Sequence, residues 1–142
     1  MSRRGLQVTL TILGTVAAVF GAQGVLTGVG GVRNGGKASA NVDSELRFFS
    51  AWYAVGGLAM LRAARRVETD GATIRVICVG WLIAACGRLL SVVKVGKPDR
   101  VFRVLTGIEL AIPAVIAPWQ AAVARRAVLD PARTNAVRRA AP

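Results

Sequence analysis

From Leu6 to Thr27 the chain runs for 22 residues without a formal charge. At 1.5 Å per residue a helix of that length covers about 33 Å, enough to cross a hydrocarbon core of roughly 30 Å. Three more apolar runs follow, at about 43–61, 74–93 and 101–119, each set off by a short segment rich in Gly or charge. Inside a bilayer every backbone polar group must be bonded within the chain, which leaves helices as the form such runs can take. The expected fold is therefore all-α: a polytopic membrane protein built as an antiparallel four-transmembrane-helix bundle. The expected division is a four-helix transmembrane domain over 1–121 and a basic cytoplasmic tail over 122–142.

The totals agree with that reading. Of 142 residues 54% are hydrophobic, and mean hydropathy is +0.50. Lys and Arg number 19 against 7 Asp and Glu, a formal charge of +12. In a soluble domain that excess points to nucleic acid. Here most basic residues lie between or outside the apolar runs, the distribution of a membrane protein, so no nucleic-acid partner is expected. There is no His, which removes the commonest metal ligand and general base. Cys78 and Cys86 are eight residues apart in one run, about 12 Å along a helix axis and too far for a disulfide. They read as small core residues. No metal, no cofactor and no catalytic residue is expected.

The first run has a basic flank in Met1 to Arg4 that resembles a signal peptide, but it is long for a signal and reads as a retained helix. Gly14, Gly21 and Gly24 recur at helical spacing there, with Gly57 in the second run and Gly80 and Gly87 in the third. Such smooth faces let helices pack closely. Residues 28–40 read as a flexible Gly-rich loop without phosphate-loop chemistry. Asp43 or Ser44 is the expected N-cap of the second helix. Trp52 and Tyr53 fall near the middle of that helix and read as core or lipid contacts. With four spans, the side of both termini carries eleven Lys and Arg and the other side six. The positive-inside rule then puts both termini in the cytoplasm, and the protein in the plasma (inner) membrane.

Charges inside apolar runs are costly and face a partner or a cavity. Asp43, Glu45 and Arg47 stand at the mouth of the second run, Arg88 in the third and Glu109 in the fourth, with Gln23 near the end of the first. Counted from the outer ends of their helices, Gln23, Arg47, Arg88 and Glu109 fall about 6 to 11 Å deep. One network of Arg47 and Arg88 with Asp43, Glu45 and Glu109 is expected. Pro113 has no N–H, so it frees the carbonyl of Glu109 as a further acceptor for Arg88 or water. Lys94, Lys97, Arg100 and Arg103 form a basic rim suited to anions. Three readings of the cluster stay open: a structural clasp, a site for an anionic lipid head group or partner, and a proton or ion relay.

Asp43-Ser44-Glu45-Leu46-Arg47-Phe48, Gly56-Gly57, Gly87-Arg88-Leu89-Leu90-Ser91, Gly96-Lys97-Pro98, Ile108-Glu109-Leu110 and Pro113 together resemble the bacterial four-helix membrane family catalogued as domain of unknown function 4345. The resemblance spans about Leu6 to Pro118. Family members often carry Gly-Gly before the later Gly-Arg, where this chain has Ala84-Ala85-Cys86. The resemblance implies the fold and the charged positions and no activity. The Ala, Arg, Val and Gly bias resembles proteins of high-GC actinobacteria.

The expected function is that of a non-enzymatic accessory or stabilising subunit of a larger membrane complex, with membrane lipid as its surroundings. A lipid transporter of the mammalian-cell-entry type and a respiratory assembly are the candidate complexes. The alternative is a lipid-binding carrier or lipid-modifying enzyme using the charged cluster.

Overall fold

The computed structural model describes residues 2–129. They form four long helices: α1 (Arg3–Thr27), α2 (Ala40–Arg65), α3 (Gly71–Lys94) and α4 (Arg100–Val128). One 3-10 turn, Gly28–Gly31, follows α1. Each helix outruns the apolar run that announces it, because polar residues at both ends complete its last turns. α4 continues past residue 121, the expected end of the transmembrane domain, and residues 130–142 of the expected tail lie outside the described residues. Pro113 and Pro118 sit within α4 without ending it.

Local chemistry sets the helix starts. Ser39 caps α2: its Oγ accepts from the N–H of Val42 at 3.4 Å. The expected cap at Asp43 or Ser44 is thus four to five residues late. The cause is that the Asp43 carboxylate is engaged elsewhere, as described below. Asp99 caps α4, accepting from the N–H of Val101 at 2.9 Å, and Pro98 before it holds the chain out of the helix. At the start of α3 the hydroxyl of Thr73 donates to Asp70 Oδ1 at 2.6 Å. The turn between α3 and α4 passes through Gly96 at φ 120, a conformation L side chains rarely adopt.

Three segments are long and apolar enough to cross a membrane: Arg3–Gly31, Gly71–Lys94 and Arg100–Val128. α2 falls short of that measure. Its uncharged stretch between Arg47 and Arg62 is 14 residues, about 21 Å of helix. Many large apolar side chains point outward. Phe20, Phe49, Trp52, Val76 and Ile83 are each more than 60% exposed. So broad an apolar surface would associate or aggregate in water, whereas hydrocarbon solvates it at no cost.

By internal contacts the chain divides into two units: Val8–Ala64, and the residues through Gln7 together with those from Arg65 onward. In the first unit α1 and α2 approach until backbone meets backbone. A Cβ on Gly21 would strike the backbone of Ala54 and Ser50, and one on Gly57 the backbone of Ala18 and Gly14. A Cβ on Gly14 would lie 2.9 Å from the carbonyl oxygen of Gly57, and one on Gly24 would strike the side chain of Ser50. These four glycines therefore set the distance between the helices.

In the second unit α3 packs on α4. Gly71, Ile74, Cys78 and Ala85 form the buried stripe of α3, and Thr106, Glu109, Ile116, Gln120 and Val123 that of α4. Both stripes recur at three-, four- and seven-residue intervals, as one helix face requires. The buried amide of Gln120 donates to the carbonyl of Val67 at 3.0 Å. Trp119 Nε1 donates to the carbonyl of Ser2 at 3.2 Å, and Arg3 pairs with Glu68 at 3.1 Å.

Two expectations about α3 need correction. Gly80 and Gly87, expected to pack helices together, are exposed, and a Cβ on either would meet nothing within 4 Å. At 100° per residue they lie about 140° to 180° from Cys78 and Ala85, on the face turned away from α4. Cys86, read as a core residue, is exposed on the same helix, while Cys78 is buried.

This contrast is testable by substitution. Gly21→Ala or Gly57→Ala forces two backbones apart and lowers stability by about 2 kcal/mol. Gly80→Ala or Gly87→Ala, in open space, is neutral or stabilising by up to about 1 kcal/mol through helix propensity. Reversible unfolding in mixed micelles reads both.

Candidate functional site

Where the sequence leads one to expect a single network of five charges, four of the five form two ion pairs, one within each unit. Within Val8–Ala64, Arg47 Nε donates to Asp43 Oδ2 at 2.7 Å. The residues are four apart on α2 and share a face. The same guanidinium reaches the end of α1: Nη1 donates to the carbonyl of Val25 at 2.6 Å and to that of Leu26 at 3.1 Å. The last carbonyls of a helix lack N–H partners inside it and carry the negative end of its dipole. Arg47 supplies both the donors and the positive charge. The other oxygen of Asp43, Oδ1, accepts from the N–H of Val29 at 2.8 Å.

Gly28 makes this contact geometrically feasible. It is buried, at φ 55, and a Cβ there would collide with the Asp43 carboxylate and the Arg47 guanidinium. The turn that ends α1 and the pair that opens α2 therefore form one unit of structure. The two backbone carbonyls, the Val29 N–H and Gly28 have no part in the cluster read from the sequence. Backbone acceptors leave no mark there, and a glycine ending a long apolar run was the one available sign.

Within the other unit, Arg88 and Glu109 form a bidentate pair. Nε donates to Oε2 at 2.7 Å and Nη2 to Oε1 at 3.1 Å. The Glu109 side chain is 8% exposed and that of Arg88 37%, so the carboxylate is the buried half. The Phe102 ring lies under the guanidinium, its centroid 5.9 Å from Cζ, within range of a cation–π attraction. Nε and Nη2 of Arg88 both donate to the carboxylate rather than to the Glu109 carbonyl that Pro113 frees. Next door, the buried hydroxyl of Thr106 donates to the carbonyl of Phe102 at 2.8 Å and is satisfied within its own helix.

The remaining expected members stand apart from both pairs. Glu45 is exposed on α2 and Gln23 exposed on α1. The reason is register: Glu45 is two residues from both Asp43 and Arg47, about 200° around the helix. Lys94, Lys97, Arg100 and Arg103 are all exposed, at the end of α3, in the connection and in the first turn of α4. Among the described residues no group of His, Cys, Asp and Glu is arranged to hold a metal ion.

An all-helical chain with three membrane-length apolar segments, and charges neutralised in pairs within its helices, has the character of an integral membrane protein. It belongs to the family described as domain of unknown function (DUF4345), whose model matches residues 5–120. No curated protein and no solved structure matches the chain.

The Arg88–Glu109 pair yields a double-mutant prediction. Arg88→Leu or Glu109→Leu alone strands a charge and costs about 3 kcal/mol. The double substitution loses less than the sum, with a coupling of about 1 to 3 kcal/mol. Strictly additive losses would contradict direct pairing in the membrane.

Proposed function

We propose that this protein is a small, non-catalytic subunit of a larger membrane complex, built as four antiparallel spans with both termini on the cytoplasmic side of the plasma membrane. The observation that carries the reading is the uncovered face of α3, where Gly80 and Gly87 meet nothing within 4 Å. Buried glycines elsewhere in the chain bring helix backbones together, and an equally smooth face left open suits a helix from another protein. The internal charges already have partners, and the described residues place no nucleophile beside a base.

Chain direction is supported by the order of contacts. Gly14 faces Gly57 and Leu61, while Gly24 faces Ser50. Gly71 faces Gln120, while Arg88 faces Glu109. In each pair of helices one sequence ascends as the other descends. Ser2 and Arg3 bond to Trp119 and Glu68, which favours one membrane side for the first residues, the α2–α3 connection and the far end of α4. α2 becomes the fourth span if Arg47 and Arg62 extend their stems toward the two interfaces, adding reach to the 14-residue stretch between them. Among complexes, a lipid transporter fits best, because the connection over 94–103 is basic and favours acidic head groups.

A tagged full-length chain extracted in mild detergent is expected to carry a larger membrane protein in fixed stoichiometry. Gly80→Leu with Gly87→Leu is expected to release that partner while helical content and melting temperature stay unchanged. Recovery as a solitary monomer or homo-oligomer, before and after substitution, contradicts the reading.

A further inference from the structure

We propose that the open edge of the Arg88 guanidinium is an anion-binding fork that takes the phosphate of an acidic lipid head group. This does not rest on the subunit reading: a chain that works alone has the same fork.

A guanidinium carries five N–H donors in one plane. Glu109 takes one from Nε and one from Nη2. The second hydrogen of Nη2 and one hydrogen of Nη1 form the adjoining edge of the plane, and among the described residues they meet no protein acceptor. They are not sealed in, because Arg88 keeps 37% of its side-chain surface while Glu109 keeps 8%. The fork is also held still. Two hydrogen bonds to a buried carboxylate fix its plane, and the Phe102 ring lies 5.9 Å from Cζ on one face. A planar pair of N–H donors at fixed spacing matches two oxygens of a phosphate. Donors left bare at hydrocarbon depth are costly, so an oxygen acceptor is called for on this edge.

The surroundings select an acidic lipid. Arg88 lies six residues before Lys94 on α3, about 9 Å along the axis. Lys94, Lys97, Arg100 and Arg103 follow within the next turns of chain, all exposed and with no ion pair among the described residues. The acid of this segment, Asp99, is engaged as the N-cap of α4. Cations at the rim gather acidic head groups, and the fork beneath them holds one in place. Glu109 is a positioning residue here: it orients the guanidinium and leaves its outer edge free.

The test is native mass spectrometry of the full-length chain in detergent, titrated with phosphatidylglycerol or phosphatidylcholine. The expected result is one phosphatidylglycerol bound at least about tenfold tighter than phosphatidylcholine. The paired substitution Arg88→Gln with Glu109→Gln keeps a hydrogen-bonded pair, strands no charge and is expected to abolish that preference. Arg88→Lys, which keeps the charge and loses the fork, is expected to weaken it about tenfold. Lys94→Gln and Lys97→Gln are expected to weaken it about fivefold each. If millimolar inorganic phosphate displaces the lipid, the fork reads phosphate itself. If it does not while lipid stays bound, the fork reads the whole head group; both results support the site. The proposal is overturned if the paired variant, with unchanged helical content, keeps the wild-type preference, or if Arg88→Lys equals wild type. It is also overturned if a photo-crosslinker at Leu89 captures a protein rather than lipid.

Discussion

A guanidinium moved from water into hydrocarbon must recover its lost hydration from nearby oxygens. Arg47 and Arg88 meet that demand in different ways. Arg47 spreads its donors over one carboxylate and two helix-terminal carbonyls, and so joins the start of α2 to the end of α1. Arg88 commits two donors to one buried carboxylate, and so joins α3 to α4. Each pair fixes the register of two helices that are otherwise apolar and free to slide. Close glycine contacts then set how near α1 comes to α2.

Much of this was legible in the residues, and the limits have physical causes. Asp43 and Arg47 are four apart, so their pairing follows from helix geometry alone. Arg88 and Glu109 stand out as single opposite charges in long apolar runs. Which charge pairs with which could not be read, because helix depth says nothing about which helices touch; the contacts give one pair within each unit. Glu45 was placed with its neighbours by proximity in sequence, yet two residues along a helix means the other face. The Ser39 cap was masked by the candidates Asp43 and Ser44 just after it, and the oxygens of Asp43 turned out to be engaged by Arg47 and Val29. On α3 small residues occupy both faces: Gly71, Cys78 and Ala85 on one, Gly80, Ala84, Gly87 and Ser91 on the other. Size alone could not tell the packed face from the open one.

Among the described residues, that open face and the open edge of Arg88 are two features not consumed by the chain's own fold. One is smooth and apolar, the other a fixed pair of donors beneath a basic rim. They ask for different company, a helix and an anionic oxygen, which the membrane complex proposed above would supply. The two ion pairs hold the helices in register, which lets both features keep a defined shape without a large core.

Whether α2 crosses the bilayer decides the four-span fold, since α2 alone of the four long helices falls short of membrane-crossing length and hydropathy. Single cysteines introduced at Gly35, Thr69 and Gly96, with Cys78 and Cys86 replaced, report this by labelling with an impermeant reagent in intact cells. Four spans predict that Gly35→Cys and Gly96→Cys react from outside and Thr69→Cys only after permeabilisation. Reaction of Gly35→Cys and Thr69→Cys from the same side would contradict it, and would leave Arg47 at the membrane surface rather than within.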